Sequence, residues 1–179
     1  MGGLAPTADN EGKTPDRLAP FVLMKDGNTP FTNPYAPADK TDGTIRGAWG
    51  YPPEFFVQKG QEAKAIADSL NFSLWTRLNF LAADMKSFGQ KGPWDIQRLG
   101  TGEVDQKYVD YATVAIGLYG GAAGMPRDYA LSISNVYARF NSNFGKDAVM
   151  SREFGSLPQR NVFNTDLGYE LEALMRSRR

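Results

Sequence analysis

The stretch from Gly92 to Arg98 combines a tight turn, an aromatic ring, a carboxylate and a cation, which are residue types that a catalytic or binding site needs. Trp94 can stack on a sugar or a nucleobase, and Asp95 can act as an acid, a base or a nucleophile. Arg98 follows three residues later and would tune that carboxylate from the same helical turn. The structural alternative is that Trp94 fills the core while Asp95 caps the next turn, with Arg98 as its exposed partner.

Two further carboxylates are candidates for the same chemistry. Glu62 lies beside the apolar stripe of a predicted helix, where it faces either a groove or the solvent. Asp110 and Tyr111 point to different faces of a later helix, so we expect one of them inside and the other in solvent. Burial raises the pKa of a carboxyl group, as a general acid near neutral pH requires; at the surface, Asp110 would be an ordinary residue of a first helical turn. Tyr119, farther along that helix, is a candidate for binding substrate.

The chain of 179 residues contains no histidine and no cysteine. This composition excludes Ser-His-Asp and Cys-His nucleophilic sites, together with the usual ligand sets of zinc peptidases and zinc deaminases. A pair of carboxylates that cleaves a glycosidic bond remains available, as does a carboxylate cluster that holds magnesium, and a chain without catalysis also remains. With 20 basic and 20 acidic side chains, the formal net charge of zero offers no long-range attraction to polyphosphate.

The sequence divides into an irregular leader over residues 1–53 and one compact helical domain over residues 54–179. Eight of the eleven prolines lie in the leader, which therefore cannot sustain a helix. A short strand over residues 21–24 is expected there, and Trp49 and Tyr51 are expected to pin the leader to the helical body. The leader is either an ordered wrap or a linker from a larger polypeptide.

Apolar residues that recur every three or four positions predict a mainly α domain, and a lysozyme-like architecture is one form it can take. The predicted helices cover residues 61–87, residues 104–123, residues 127–141, and a last stretch that begins at Asn164 or Thr165. The first is either continuous or broken near residues 71–73. Residues 115–124 are almost free of polar side chains, which indicates burial on all sides. Asp166 would lie in the first turn of the last helix, where the helix dipole favours a negative charge.

Three short motifs, taken in order, resemble the bacterial polymorphic toxin type 44 domain. They are Gly92-Pro93-Trp94-Asp95, the run from Tyr108-Val109-Asp110-Tyr111 to Gly117-Leu118-Tyr119-Gly120-Gly121-Ala122-Ala123-Gly124, and Asn164-Thr165-Asp166-Leu167-Gly168-Tyr169-Glu170. The resemblance covers residues 70–175 and implies the C-terminal toxin module of a larger secreted effector, neutralised in the producer by a cognate immunity protein. The chain departs from the family pattern at Gln97, where a lysine is usual, and at Ala112-Thr113, which replaces a Gly-Asn pair.

The residues and the resemblance together favour an antibacterial toxin that hydrolyses the glycan strands of peptidoglycan. We expect Asp95 and Glu62, before Asp110, to supply the acid and base, with Trp94, Arg98 and Tyr119 binding the glycan. This chemistry needs no metal and no other cofactor. The sequence shows no N-terminal signal peptide, so the expected route is a dedicated secretion system that delivers the domain to the periplasm of the target bacterium.

Two alternatives remain open. A nuclease toxin would hold magnesium with Asp95, Asp110 and Asp166, and Arg98 or Lys107 would contact phosphate; only in this case is nucleic acid a partner. A module without catalysis would act on membranes or bind another protein. Stable membrane insertion is not expected, because the apolar run of residues 115–124 is shorter than the roughly 20 residues that span a bilayer.

Overall fold

The computed structural model describes residues 19–98, 103–141 and 157–178. These residues form a mainly α domain with a small sheet, which confirms the predicted fold class. The sheet comprises β1 (Pro20–Val22) and β2 (Arg46–Ala48). The helices are α1 (Pro53–Ser69), α2 (Leu74–Asp84), α3 (Val109–Ala123), α4 (Arg127–Asn141) and α5 (Gln159–Ser177). Short 3-10 turns cover Met85–Phe88, Ile96–Arg98 and Gln106–Tyr108.

The segment before α1 wraps against the helices and shares their core. Strands β1 and β2 pair antiparallel, with Phe21 opposite Gly47. A β-carbon at Gly47 would lie 2.3 Å from the Phe21 ring and 2.9 Å from the Tyr111 ring, so only glycine lets the sheet approach α3. Tyr51 is buried in the core, as expected. The strand is shorter than the predicted 21–24, and the predicted boundary at residue 53 is where α1 begins.

The predicted helix over residues 61–87 is two helices, α1 and α2, separated by a corner. Asn71 has a left-handed φ of 49°, which ends the helical path after Ser69. Ser73 then caps α2 by accepting a hydrogen bond from the Thr76 N–H at 3.2 Å. At the other end, α1 begins at Pro53, because proline is well suited to a first helical turn.

Helix α3 is the centre of the domain and packs against α1 on one side and α5 on the other. Its glycine-rich half is buried, as the sequence predicts. A β-carbon at Gly117 would lie 2.1 Å from the Thr165 carbonyl oxygen, and one at Gly168 would lie 2.2 Å from the Val114 carbonyl oxygen. The two helices therefore cross backbone to backbone, and the close packing offsets the cost of placing glycine in a helix.

Helix α4 has the predicted bounds, whereas the predicted start of α5 was wrong. The helix begins at Gln159, after Pro158, instead of at Asn164 or Thr165. Both of those residues are buried inside α5, where the Thr165 hydroxyl donates to the Asn161 carbonyl at 2.9 Å. Their side chains form hydrogen bonds inside the domain and do not cap a helix end. The sequence also predicts a loop over residues 145–163. Residues 145–156 of it lie outside the described part, and its end, from Gln159, is helical.

None of the helices in the described ranges is long and apolar enough to cross a bilayer.

Candidate functional site

Trp94 lies in an aromatic cluster formed by the segment after α2, by α1 and by α3. Its half-buried ring is 5.0 Å from that of Phe88, 5.8 Å from that of Tyr119 and 6.3 Å from that of Phe55, centroid to centroid. Its backbone N–H donates to the Ser87 carbonyl at 2.9 Å. The cluster therefore fixes the indole and leaves part of it in contact with solvent.

The turn that carries Trp94 is tightly constrained. Lys91 adopts a left-handed φ of 64°, and a β-carbon at Gly92 would lie 2.3 Å from the Ser87 carbonyl oxygen. Asp95 closes the turn: its Oδ2 accepts the Lys91 N–H at 3.0 Å, and both its oxygens accept from Arg98 Nη1 at 3.1 Å. The side chains of Asp95 and Arg98 are only 5% and 19% exposed. Both interpretations of Asp95 paired it with Arg98, as the structure does, but the expectation of an exposed Arg98 was wrong because the pair is largely buried.

Asp84 is a carboxylate that the sequence did not single out, and the Tyr119 hydroxyl links it to the aromatic cluster. It is the half-buried last residue of α2, and the Tyr119 hydroxyl donates to its Oδ2 at 2.5 Å. Burial, and then the bond to Asp84, raise the pKa of Tyr119 well above its ordinary value of 10, so the phenol remains a neutral donor. Within the described ranges Asp84 has no cationic partner. One carboxylate oxygen is thus held by Tyr119, and the other accepts no hydrogen bond from the described residues.

Tyr119 does not have the role predicted for it. Its side chain is fully buried, with a relative exposure of 0%, so its ring cannot stack on a glycan. The helix presents this residue inward because α3 is enclosed by α1 and by the Trp94 cluster. Tyr119 instead positions Asp84 from across the core.

Asp110 lies in a separate polar cluster, which we call the Asp110 clamp: Asn33, Asp110, Arg160 and Asn164. Arg160 donates from Nε to Oδ1 at 2.7 Å and from Nη2 to Oδ2 at 3.0 Å. Asn164 Nδ2 donates to Oδ1 at 2.6 Å and Asn33 Nδ2 does so at 3.1 Å. The clamp joins the N-terminal segment and α5 to α3. It saturates the carboxylate, which favours a structural role for Asp110.

The expectation that one of Asp110 and Tyr111 faces solvent was wrong. Asp110 is 3% exposed and Tyr111 is 0% exposed, because α3 is covered on opposite sides by α5 and the N-terminal segment. The Tyr111 hydroxyl donates to the Tyr51 carbonyl at 2.8 Å, so both buried polar groups are satisfied.

Glu62 lies on the exposed face of α1 and not in a groove. It accepts hydrogen bonds from Lys59 Nζ at 2.8 Å and from Gln58 Nε2 at 2.9 Å. The Lys59 bond, followed by the Gln58 bond, lowers the pKa of Glu62, which is opposite to the shift that a general acid needs. The periodicity placed Glu62 next to the apolar stripe, but the stripe of α1 buries Ala63 and leaves its neighbour in solvent.

The three aspartates of the magnesium alternative each pair with a different arginine. Asp95 pairs with Arg98 and Asp110 pairs with Arg160, as described above. Asp166 pairs with Arg127, whose Nε lies 2.5 Å from Oδ1. Asp166 follows the start of α5 at Gln159 by seven residues and is therefore not in its first turn. In the portion of the chain that the structure describes, no group of three or more carboxylates could hold a metal ion.

The polar residues that were not among the sequence candidates are Asn33, Asp84 and the buried Glu172 of α5. The candidate segment over residues 160–166 contains Arg160 and Asn164, but it gives no sign of their partner Asp110. Asp84 and its partner Tyr119 are 35 positions apart, and Asn33 and Asn164 are 131 positions apart. A local motif cannot reveal such pairs. Glu172 packs against Gly121 of α3, where a β-carbon would lie 3.2 Å from Oε2. The sequence does not indicate this contact.

Comparison of the chain with family models, with curated proteins and with solved structures gave no match.

Proposed function

We propose that this chain is the toxin domain of an antibacterial effector that cleaves the glycan strands of peptidoglycan, with Asp84 as the general acid. The observation that carries the proposal is the setting of Asp84. Its Oδ2 is held by the neutral hydroxyl of the buried Tyr119, it has no cationic partner among the described residues, and the half-buried Trp94 ring packs against Tyr119. The biological context rests on the resemblance of the three motifs to the type 44 toxin domain.

In this proposal the transferable proton is on Asp84 Oδ1, because Oδ2 is the acceptor of the Tyr119 hydroxyl. A carboxylic acid whose Oδ2 accepts from the phenol can donate from Oδ1 to the oxygen of a glycosidic bond. By comparison, both oxygens of Asp95 already accept hydrogen bonds, and Asp110 is enclosed by Arg160 and two amides. Of these three aspartates, Asp84 is the one with a carboxylate oxygen that accepts no hydrogen bond from the described residues, and its partner Tyr119 packs against Trp94.

One enzymic carboxyl group is sufficient for this substrate. Peptidoglycan sugars carry a 2-acetamido group, whose carbonyl oxygen can attack the anomeric carbon while Asp84 protonates the departing oxygen. The bond between the anomeric carbon and the glycosidic oxygen breaks, and the leaving sugar departs as an alcohol. Asp84, now a carboxylate, takes a proton from the water that attacks the same carbon. The bond between that carbon and the acetamido oxygen breaks in this step, which restores the acetamido group and the acid and completes the cleavage of the strand.

Trp94 and the Asp95–Arg98 ion pair have supporting roles in this proposal. The exposed part of the Trp94 indole is a flat apolar surface on which a sugar ring can stack. Asp95 and Arg98 act as positioning residues, because their bonds to each other and to the Lys91 N–H hold the turn that presents Trp94. A cognate immunity protein and delivery to the periplasm of a competing bacterium follow from the toxin interpretation and are part of the same proposal.

The direct test is dye release from labelled, isolated peptidoglycan in EDTA. The wild-type domain should release dye, because this mechanism uses no metal. Asp84→Asn keeps an acceptor for Tyr119 and loses the proton, so its rate should fall about 10²- to 10⁴-fold. Glu62→Gln is the matched control, since this exposed carboxylate makes only surface contacts, and its rate should be unchanged.

Circular dichroism must show that both variants are folded. A folded Asp84→Asn variant that retains the wild-type rate would contradict the assignment of the acid. Dye release that EDTA abolishes would contradict the metal-free mechanism. If no dye is released by any form of the protein, the glycan itself is the wrong substrate, and RNA and DNA with magnesium are the next to test.

A further inference from the structure

Tyr51 joins the segment before α1 to the turn that carries Trp94. Its hydroxyl donates to the Pro93 carbonyl at 3.2 Å. Its own carbonyl accepts from the hydroxyl of Tyr111, which lies on α3, at 2.8 Å. One buried residue of the N-terminal segment therefore contacts both the central helix and the Trp94 turn.

The peptide group between Pro93 and Trp94 is held at both of its polar atoms. The Tyr51 hydroxyl donates to its oxygen, and its N–H donates to the Ser87 carbonyl at 2.9 Å. Because a peptide group is planar, these two hydrogen bonds fix the orientation of its plane. Ser87 lies three residues after Asp84, the proposed acid, in the 3-10 turn that follows α2. The two bonds therefore fix the backbone from which the indole projects, relative to the end of α2.

The packing around Tyr51 makes its hydroxyl a fixed donor. Its ring lies edge-on to that of Phe55 at 5.4 Å and nearly parallel to that of Phe56 at 6.3 Å, centroid to centroid. Its backbone N–H donates to the Ala48 carbonyl at 2.8 Å. Both of these ring neighbours are phenylalanines, so packing alone does not require a hydroxyl at this position. The contact that distinguishes tyrosine from phenylalanine here is the bond to the Pro93 carbonyl.

We infer that Tyr51 is a positioning residue for glycan binding, because its hydroxyl holds the turn that presents the Trp94 indole. This role rests on the proposed function, since it concerns the surface on which the glycan stacks. A binding residue that supporting hydrogen bonds hold in place before its ligand arrives loses less freedom on binding. The segment before α1 is then part of the glycan-binding site as well as a cover for the helices.

Fluorescence of Trp94 in the free domain tests whether Tyr51 holds the turn. The chain contains three tryptophans, so Trp49→Phe and Trp75→Phe together leave Trp94 as the only one. In this background Tyr51→Phe should raise the constant for quenching of the indole by acrylamide, because the Pro93 carbonyl loses its donor and the turn loosens. The substitution keeps the aromatic ring and therefore its packing.

Tyr169→Phe is the matched control for the loss of a tyrosine hydroxyl. The Tyr169 hydroxyl also donates to a backbone carbonyl, that of Met125 at 2.9 Å. It lies where α5 packs against Gly120 of α3, away from the turn that carries Trp94. Tyr169→Phe should therefore leave the quenching constant unchanged. Thermal unfolding checks that both variants are folded.

Kinetics of dye release from labelled peptidoglycan, with the natural tryptophans in place, test the role in glycan binding. Tyr51→Phe should raise the apparent KM about 2- to 10-fold, the change that the loss of one hydrogen bond represents. Its kcat should be unchanged, because the bond from Tyr119 to Asp84 is not touched. Tyr169→Phe should change neither constant. A tyrosine that only stabilised the fold would not separate KM from kcat in this way.

The outcomes separate this inference from the proposed function. An unchanged quenching constant in Tyr51→Phe, or an equal rise in Tyr169→Phe, overturns the positioning role whatever the substrate is. A raised quenching constant with an unchanged KM overturns the role in glycan binding and leaves the proposed function standing. If the wild type releases no dye, the proposed function fails and the role in glycan binding fails with it, whereas the quenching result still decides whether Tyr51 holds the turn.

Discussion

Replacement of Asp110 by asparagine should destabilise the domain strongly, because Asp110 is the centre of a buried charged cluster. The side chains of Asp110 and Arg160 are 4% and 12% exposed, and two hydrogen bonds join them. Removing one member of a buried ion pair leaves the other without compensation, at a typical cost of about 3–5 kcal/mol. For a chain of this length each kcal/mol corresponds to about 2–4 °C, so the melting temperature should fall by about 6–20 °C.

The assay is urea unfolding followed by circular dichroism, with the free energy of unfolding extrapolated to water. The matched control is Asp166→Asn, which breaks the Arg127–Asp166 pair on α4 and α5. That pair is 46% and 35% exposed, so its loss should cost less than about 1 kcal/mol. The reasoning is refuted if Asp110→Asn costs no more than the control, because the clamp would then contribute no more than a surface ion pair.

Two further predictions concern helix packing and capping. Gly117→Ala should destabilise the domain by about 1–3 kcal/mol or more, measured by the same urea titration. The reason is that its β-carbon would lie 2.1 Å from the Thr165 carbonyl oxygen and 2.8 Å from the α-carbon of Gly168. An unchanged stability would mean that α3 and α5 are not in backbone contact. Ser73→Ala should cost about 0.5–2 kcal/mol, because it removes the acceptor of the Thr76 N–H at the start of α2. Ser73→Asp, which restores a capping oxygen, should recover most of that loss, and failure to do so would contradict the capping role.

A helix could be predicted from the sequence where a single run of apolar residues, repeated every three or four positions, corresponds to a single helix. Helix α4 has the predicted bounds, and the apolar run of α3 is buried on all sides because nothing in that run favours solvent. The start of α5 was missed because Asn164 and Thr165 are good capping residues by type. In the folded chain Asn164 is a member of the Asp110 clamp, and a preference for helix ends is overridden by a buried partner.

The candidate site was predictable only in part. The motif that contains Trp94 and Asp95 does lie against the core, and the Trp94 ring packs against Tyr119, whose hydroxyl donates to Asp84. Asp84 was not predicted because it is one of several polar residues on an amphipathic helix, and its only distinguishing feature is a hydroxyl from α3. Glu62 was chosen only for its position next to the apolar stripe of the helix. The stripe buries Ala63, and the preceding residue, Glu62, already lies in solvent.

Mass spectrometry of the fragments that the domain releases from peptidoglycan in EDTA tests directly whether it cleaves the glycan with Asp84 as the acid. Borohydride reduction of the fragments marks the new reducing ends. We expect disaccharide-peptides with a newly formed reducing end on N-acetylmuramic acid, released by the wild type and by Glu62→Gln but not by a folded Asp84→Asn variant. Fragments with intact glycan and cut peptides, or glycan fragments released equally by Asp84→Asn, would contradict it.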